Sequence, residues 1–335
     1  KMEKILNKLL EGKNLTIEET YNVFKNIMEG KISPVKTSAF LTLLKVKKEN
    51  SDEITGAVKL LRDKMLKIKV NKKKIGDTCG TGGDYSGTFN ISTTCAIIAS
   101  CLGLTIAKHG NRSITSLCGS ADVLEHLGYK IDVEPEKTKK ILEKFNFAFL
   151  FAPIYHKAMK NVAEIRKELG FRTIFNIIGP LCNPALANYQ IMGVNDYFLL
   201  KIIPSVFKNL GIKGYVFHSE DGLDEITLTG KTYIVEIDRE IKEFEIYPED
   251  FGIKRCKLDD IKGGNLKENA KILIDILKGK EKGPKRDIVS LNTSFLLKTC
   301  GIVKKIEEGI KLCEETLENG IPYKKFNKIV EFLNK

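Results

Sequence analysis

Apolar residues recur three and four positions apart through the first 66 residues. They then fall into short blocks separated by glycine-rich and polar loops, and return to helical spacing toward the end of the chain. Ile5, Leu6, Leu9 and Leu10 share one helical face. Thr16-Ile17-Glu18-Glu19 is a capping box opening a second helix that Gly30 closes, Ser33-Pro34 opens a third, and Ser51 caps a fourth carrying Ile54, Val58, Leu61 and Met65. After a basic run at 67–74 the period changes: 75–79 predicts a strand, 92–101 a helix closed by Gly103, and 104–107 the next strand. Such a unit is a right-handed βαβ crossover in a parallel sheet. Residues 147–151 and 215–218 predict further strands and 157–169 a helix, while the tail from about Leu266 is mostly helical with a break at 279–284. The pattern predicts a small helical domain over 1–66 and a larger α/β domain over 72–335.

The first crossover carries unusual chemistry. Gly80-Thr81-Gly82-Gly83-Asp84-Tyr85-Ser86-Gly87 packs four glycines into eight residues between a strand and a helix. Glycine lets the backbone approach a ligand, and the following helix aims unpaired N–H groups at the same point, so the loop suits phosphate or pyrophosphate. It has neither the G-x-G-x-x-G spacing of a dinucleotide site nor the Gly-Lys-Ser/Thr ending of a Walker loop. The next strand leads into Lys108-His109-Gly110-Asn111-Arg112-Ser113 and then Ser116-Leu117-Cys118-Gly119-Ser120-Ala121-Asp122. Both loops belong to one sheet edge, where ligands of parallel sheets collect.

A formal net charge of +12 invites a nucleic-acid reading, but lysines interleave with glutamates at 134–144 and 304–318, as on solvated helix faces. Arginine is scarce, seven in all, and Arg112, Arg166 and Arg172 cluster in the middle of the chain. The longest uncharged stretches are too broken by polar residues, Gly and Pro to span a membrane. The opening residues mix charge with apolar positions, unlike a secretory leader, so a soluble cytoplasmic protein is expected. Eight scattered cysteines contain no C-x-x-C pair, which argues against structural zinc and for buried thiols.

Read on their own, Asp224-Glu225 are a solvated acidic turn or a Mg2+ pair, Arg166 is an ion-pair partner or a carboxylate clamp, and Ser92 is a residue of a helix start. The ordered series Gly80-Thr81-Gly82-Gly83-Asp84, Asn90-Ile91-Ser92-Thr93, Lys108-His109-Gly110-Asn111-Arg112, Phe149-Leu150-Phe151-Ala152-Pro153 with His156, Arg166, Asn176 to Pro184 and Asp224-Glu225 closely resembles the anthranilate phosphoribosyltransferase family.

The resemblance implies a helical domain joined to a large α/β domain with a central, mostly parallel sheet of the nucleoside phosphorylase and phosphoribosyltransferase type. Helices near 165–185 are expected to return to the helical domain. It implies transfer of a phosphoribosyl group from 5-phosphoribosyl 1-pyrophosphate to the amine of anthranilate in tryptophan biosynthesis. Two Mg2+ ions on Ser92, Asp224 and Glu225, and a homodimer formed through the N-terminal helices, are expected with it. For phosphoribosyl pyrophosphate the expected contacts are Gly80, Gly83, Asp84, Thr88, Asn90, Ile91, Ser92, Thr93, Lys108, His109, Gly110, Asn111, Arg112, Ser113, Ser116 and Ser120. For anthranilate they are Gly80, Asn111 and Arg166. No firm acid-base role falls to His109 or His156. The rivals are a pyrimidine nucleoside phosphorylase, which has no need of the acidic pair, and a DNA-binding relative without activity; neither nucleic acid nor membrane is the expected partner.

Overall fold

The structure, a computed structural model, describes residues 2–113 and 118–335. Helices α1 (Met2–Leu10), α2 (Ile17–Met28), α3 (Pro34–Lys47) and α4 (Ser51–Lys64) form the N-terminal bundle. The capping box at Thr16 is present, with Glu19 N–H on the Thr16 hydroxyl at 3.1 Å and Thr16 N–H on the Glu19 carboxylate at 2.9 Å. The cap of α4 is Asn50 rather than Ser51: the Asn50 amide oxygen takes the Glu53 N–H at 2.8 Å, and Ser51 is the first helical residue. An asparagine and a serine stand side by side there, and the sequence alone does not choose between two good caps.

The α/β part begins with β1 (Ile75–Gly80), α5 (Ile91–Cys101), β2 (Thr105–Gly110), α6 (Ser120–His126), α7 (Pro135–Phe145) and β3 (Phe147–Phe151). Short α8 (Ala152–Tyr155), then α9 (Lys160–Leu169) and α10 (Phe175–Ile178), leave the sheet before β4 (Tyr189–Gly193), α11 (Ile203–Leu210) and β5 (Lys213–Ser219). Strands β6 (Thr232–Ile237) and β7 (Ile241–Ile246) precede the tail helices α12 (Leu266–Leu277), α13 (Pro284–Thr299), α14 (Ile306–Glu318) and α15 (Ile321–Leu333). Among the described residues the sheet order is β3-β2-β1-β4-β5-β6-β7, parallel from β3 to β5 and antiparallel beyond. Strand β2 runs three residues past its predicted end, so Lys108, His109 and Gly110 sit on the strand rather than in a loop. The expected helix at 157–169 divides into a 3-10 turn at Lys157–Met159 and α9.

Two apolar cores flank the sheet. One packs α5, α7, α12, α13 and α15 against β1, β2 and β3. The other joins α2, α3 and α4 to Val162, Ile174, Phe175, Ile178 and Leu181, and continues through α11 to Met192, Val216 and Val235. Segment 160–182 is therefore packed with the N-terminal bundle although it lies between β3 and β4. Hydrogen bonds hold the crossings, among them Leu66 N–H to the Tyr155 carbonyl and Ile68 N–H to the Pro184 carbonyl, both 2.9 Å, Arg62 Nε to the Leu181 carbonyl at 2.8 Å and the Asn161 amide to the Met28 carbonyl at 2.6 Å.

The chain leaves β1 toward β2 and β3 on one side and returns through β4 and β5 on the other. This puts a topological switch point between the carboxyl ends of β1 and β4, the place where an open α/β sheet forms its crevice. The helical bundle covers that crevice from above.

Candidate active site

Paired glycines end the two central strands, Gly80 on β1 opposite Gly193 on β4. A Cβ on Gly80 would lie 2.2 Å from Asp224 Oδ2, and one on Gly193 would lie 1.7 Å from the Asp224 carbonyl. Neither position tolerates a side chain, because Asp224 is seated in that gap. Its carboxylate accepts the Gly82 N–H at 2.8 Å. The loop beyond Gly80 is held further by Thr81 N–H on the Gly193 carbonyl at 3.0 Å and by the Thr81 hydroxyl, which accepts Asn195 N–H and donates to Asn195 Oδ1, both at 3.1 Å. Asp84 acts as a loop organiser, taking the Ser86 hydroxyl at 2.7 Å.

Helix α5 begins at this loop with its first turn facing the cleft. The Asn90 side chain does not cap it; its amide instead donates to the Cys118 carbonyl at 3.1 Å. The helix N-terminus thus keeps N–H groups for an anionic guest. Lys108 is buried, with its ammonium on the Thr78 carbonyl at 2.5 Å and the Ser92 hydroxyl at 3.3 Å. Its charge favours ionised Asp77 and Glu225 on either side. Asp77, pushed up to about 7 by burial, sits below the site and accepts the Asn183 amide at 2.8 Å, tying β1 to the segment that returns from the bundle.

Asp224 and Glu225 both line the cleft because residues 220–231 form an irregular connection, not a strand. Asn292 of α13 clamps this connection, accepting Ile226 N–H at 3.0 Å and donating to the Ile226 carbonyl at 2.9 Å. Burial raises both acids. Asp84 adds to the rise at Asp224, and Asp224 adds to that at Glu225, which stands well above the ordinary carboxylate range.

A divalent cation would relieve the cost of ionising these crowded, buried acids, so the donor set fits Mg2+. Among the described residues no three His, Cys, Asp or Glu side chains converge as a closed metal cage. Two carboxylates with a hydroxyl, completed by water and phosphate oxygens, is the shell Mg2+ prefers.

Every described residue over 80–120 that the sequence analysis selected for the cleft lines one polar cleft of about 590 Å3, together with Asp224 and Glu225; the remaining selected residue, Ser116, lies outside the described residues. Asp122 shapes the second loop by accepting Ser113 N–H at 3.1 Å and Gly119 N–H at 2.8 Å. The Arg112 guanidinium is turned away to α6, on Glu125 at 2.8 Å and Asp122 at 3.1 Å.

An apolar chamber of about 470 Å3 opens from the cleft and shares Gly80, Thr81, His109, Gly110, Asn111 and Asn176 with it. Leu61, Ala152, Pro153, Met159, Ala163, Phe175, Ile178 and Pro180 line its walls. Two cations of α9 line it, the exposed Lys160 and the half-buried Arg166, whose guanidinium is stacked on the Phe175 ring at 5.3 Å. Among the described residues no carboxylate pairs with Arg166, and burial lowers its pKa from the usual guanidinium value. His109 and His156 meet Nε2 to Nε2 at 3.2 Å on the chamber rim. Burial holds both below the ordinary imidazole range, His156 at about 4 and His109 well below its usual value with His156 and Lys108 beside it, so the pair is neutral at pH 7. Burial pushes the Cys182 thiol in the chamber wall up to about 12, which leaves it un-ionised and no nucleophile.

Sequence reasoning missed Asn195, Asn292 and the reach of Arg172, and it quoted Asn176 in the motif series without giving it a role. Arginine scarcity marked Arg172, but nothing local says where its side chain ends. The asparagines act through contacts with residues up to 114 positions away, which no periodicity encodes.

The chain matches "Glycosyl transferase family, helical bundle domain" over residues 3–65 and "Glycosyl transferase family, a/b domain" over residues 72–323. It is 47% identical over 335 residues to anthranilate phosphoribosyltransferase of Acetivibrio thermocellus, covering 99% of this chain and 97% of that one. It is likewise 47% identical to that of Methanobrevibacter smithii, covering 99% of each chain. The solved anthranilate phosphoribosyltransferase of Thermus thermophilus superimposes with a TM-score of 0.94 at 38% identity, covering 98% of this chain and 99% of that one. The Saccharomyces cerevisiae enzyme in complex with PRPP and Mg does so with a TM-score of 0.91 at 30% identity, covering 99% of this chain and 98% of that one. The chain belongs to the anthranilate phosphoribosyltransferase family.

Proposed function

We propose that this chain transfers the phosphoribosyl group of 5-phosphoribosyl 1-pyrophosphate to the amine of anthranilate, giving N-(5-phosphoribosyl)anthranilate and pyrophosphate, in the synthesis of L-tryptophan. One observation carries the reading: an apolar chamber holding a half-buried guanidinium, with no carboxylate partner among the described residues, opens directly onto a glycine-lined anion cleft. The chamber suits a flat aromatic acid, with Arg166 taking its carboxylate in a two-pronged bond and Asn111 at the shared rim. The cleft suits the phosphates, which meet the N–H groups of the 80–88 loop and of the first turn of α5, with Thr88, Asn90, Thr93, Ser113 and Ser120 as further polar contacts.

The reacting carbon then lies at the junction, near Gly80 and Asn111. As the bond from the anomeric carbon to pyrophosphate breaks, the amine nitrogen forms its bond to that carbon and releases a proton. An aromatic amine is already neutral near pH 7, so placement matters more than prior deprotonation. Asp224 and Glu225, with the Ser92 hydroxyl, would hold two Mg2+ ions, whose contribution is to stabilise charge on the departing pyrophosphate. Residues 1–66 with the returning helices near 165–185 supply the aromatic side of the cleft, and residues 72–335 supply the phosphate side.

The test is direct. Purified protein with anthranilate, phosphoribosyl pyrophosphate and Mg2+ should consume anthranilate fluorescence and release pyrophosphate, while thymidine with inorganic phosphate is left unchanged. No fluorescence loss, or phosphorolysis of thymidine instead, would remove this reading.

A homodimer is part of the proposal, but α1 supplies less of its surface than expected. Leu9 is buried, and Ile5 and Leu6 pack against the chain's own helical core. Leu10, Val35 and Val46 remain 68%, 79% and 76% exposed, and the two valines are three helical turns apart on one face of α3. Light scattering at micromolar concentration should give a dimer mass that falls to monomer in Val35→Glu with Val46→Glu. A monomeric parent protein would contradict this.

A further inference from the structure

Arg172 starts on the helical side of the cleft and ends on the other. It lies three residues beyond α9, past the left-handed Gly170. Its Nη2 donates to the Thr81 carbonyl at 2.8 Å. Its guanidinium lies against Gly83, where an added Cβ would come within 2.2 Å of Nη1. The charges of Asp224 and Asp84 also reach it.

The rest of the glycine loop is secured from the sheet side, by the Gly193 carbonyl, Asn195 and Asp224. Gly87 is held by Gly263 N–H at 2.9 Å. Among the described residues, the Arg172 bond is the one that ties this loop to the segment carrying Arg166. That segment is itself short and braced. Gly170 N–H closes on the Arg166 carbonyl at 3.3 Å, and Thr173 N–H is taken by the side chain of Asn176, a residue facing both compartments, at 2.9 Å.

We propose that Arg172 is a positioning residue that couples the two substrate compartments, so that an aromatic carboxylate on Arg166 and a metal-bound pyrophosphate on the glycine loop each favour the binding of the other. The inference rests on the functional reading above. A carboxylate clamped by Arg166 fixes the last turn of α9; this fixes the turn from which Arg172 springs, and the Arg172 fork then holds the Thr81 carbonyl and Gly83 in the conformation that turns the Gly83 N–H toward the cleft. Linkage makes the effect reciprocal: the factor by which one ligand tightens the second equals the factor in reverse.

The experiment uses 2-methylbenzoate, which keeps the ring and carboxylate of anthranilate but has no amine to react. Calorimetry measures the affinity for phosphoribosyl pyrophosphate with Mg2+, with and without saturating 2-methylbenzoate, in the parent protein, Arg172→Gln and Arg172→Lys. The parent should bind at least about fivefold more tightly with the analogue present, within the usual range of coupling between sites. Arg172→Gln should reduce the factor to less than about twofold while leaving each ligand's separate affinity within about threefold of the parent. Arg172→Lys, which can still donate to the Thr81 carbonyl, should recover part of the factor.

Full coupling in Arg172→Gln, or none in the parent, overturns the proposal. So does a loss of phosphoribosyl pyrophosphate affinity that is equally large without the analogue, since that makes Arg172 a direct ligand. A parent protein that binds neither compound contradicts the functional reading itself, and the two failures are distinguishable.

Discussion

Arg166→Lys should raise the KM for anthranilate at least about tenfold, a loss of about 1.4 kcal/mol, and leave the KM for phosphoribosyl pyrophosphate close to that of the parent. The substitution keeps a positive charge in the chamber, so long-range electrostatics change little. What it removes is the planar fork that can meet both oxygens of a carboxylate and the flat face that lies on Phe175. A lysine ammonium is also more strongly hydrated and gains less from an apolar chamber. Steady-state kinetics in both substrates separate the possible roles. A guanidinium serving only a surface ion pair would give a near-silent variant, and one contacting phosphate would move the KM for phosphoribosyl pyrophosphate first.

Asp224→Asn and Glu225→Gln should each remove most of the activity, on the order of a hundredfold, and chelation by EDTA should do the same to the parent. The folded protein should survive both changes. Burial and mutual repulsion hold these carboxyl groups above their unfolded pKa values, so folding favours their protonated forms. The sign follows: their ionisation weakens the metal-free protein as pH rises above the ordinary carboxylate range, and a neutral amide removes that weakening. The melting temperature of the metal-free variants at pH 8 should therefore hold or rise while turnover collapses. Parent-like turnover at limiting Mg2+ would show that neither residue holds metal.

The parts of the molecule legible in the sequence are those whose signals are local. Thr16 with Glu19 marks a helix start because both halves of the box lie within four residues. The first βαβ unit is legible because a glycine loop interrupts a change of period at 75–107. The extension of β2 through Gly110 was hidden by the polar side chains of Lys108 and His109. They are polar yet buried because the sheet edge gives them partners in the Thr78 carbonyl and His156. The wide departure of 160–182 from the sheet, and its packing against α2, α3 and α4, has no local signature at all.

The candidate site divides the same way. Its glycines, hydroxyls and acidic pair stand out by type and spacing, and the family resemblance ordered them. Their supports do not stand out: Asn292 grips Ile226 from 66 residues away, and Arg172 reaches Thr81 from 91. Such residues are chosen by where the chain has already folded, so a one-dimensional pattern cannot single them out.

The division of labour between chamber and cleft is most directly tested by a crystal structure of the parent protein with phosphoribosyl pyrophosphate, Mg2+ and 2-methylbenzoate. The account predicts the aromatic ring among Pro153, Phe175 and Pro180 with both carboxylate oxygens on Arg166, and phosphates on the 80–88 loop. It also predicts the methyl carbon, standing for the amine, within about 3–3.5 Å of the anomeric carbon, as a near-attack geometry requires. An aromatic acid bound away from Arg166, or phosphates lying in the apolar chamber, would contradict it.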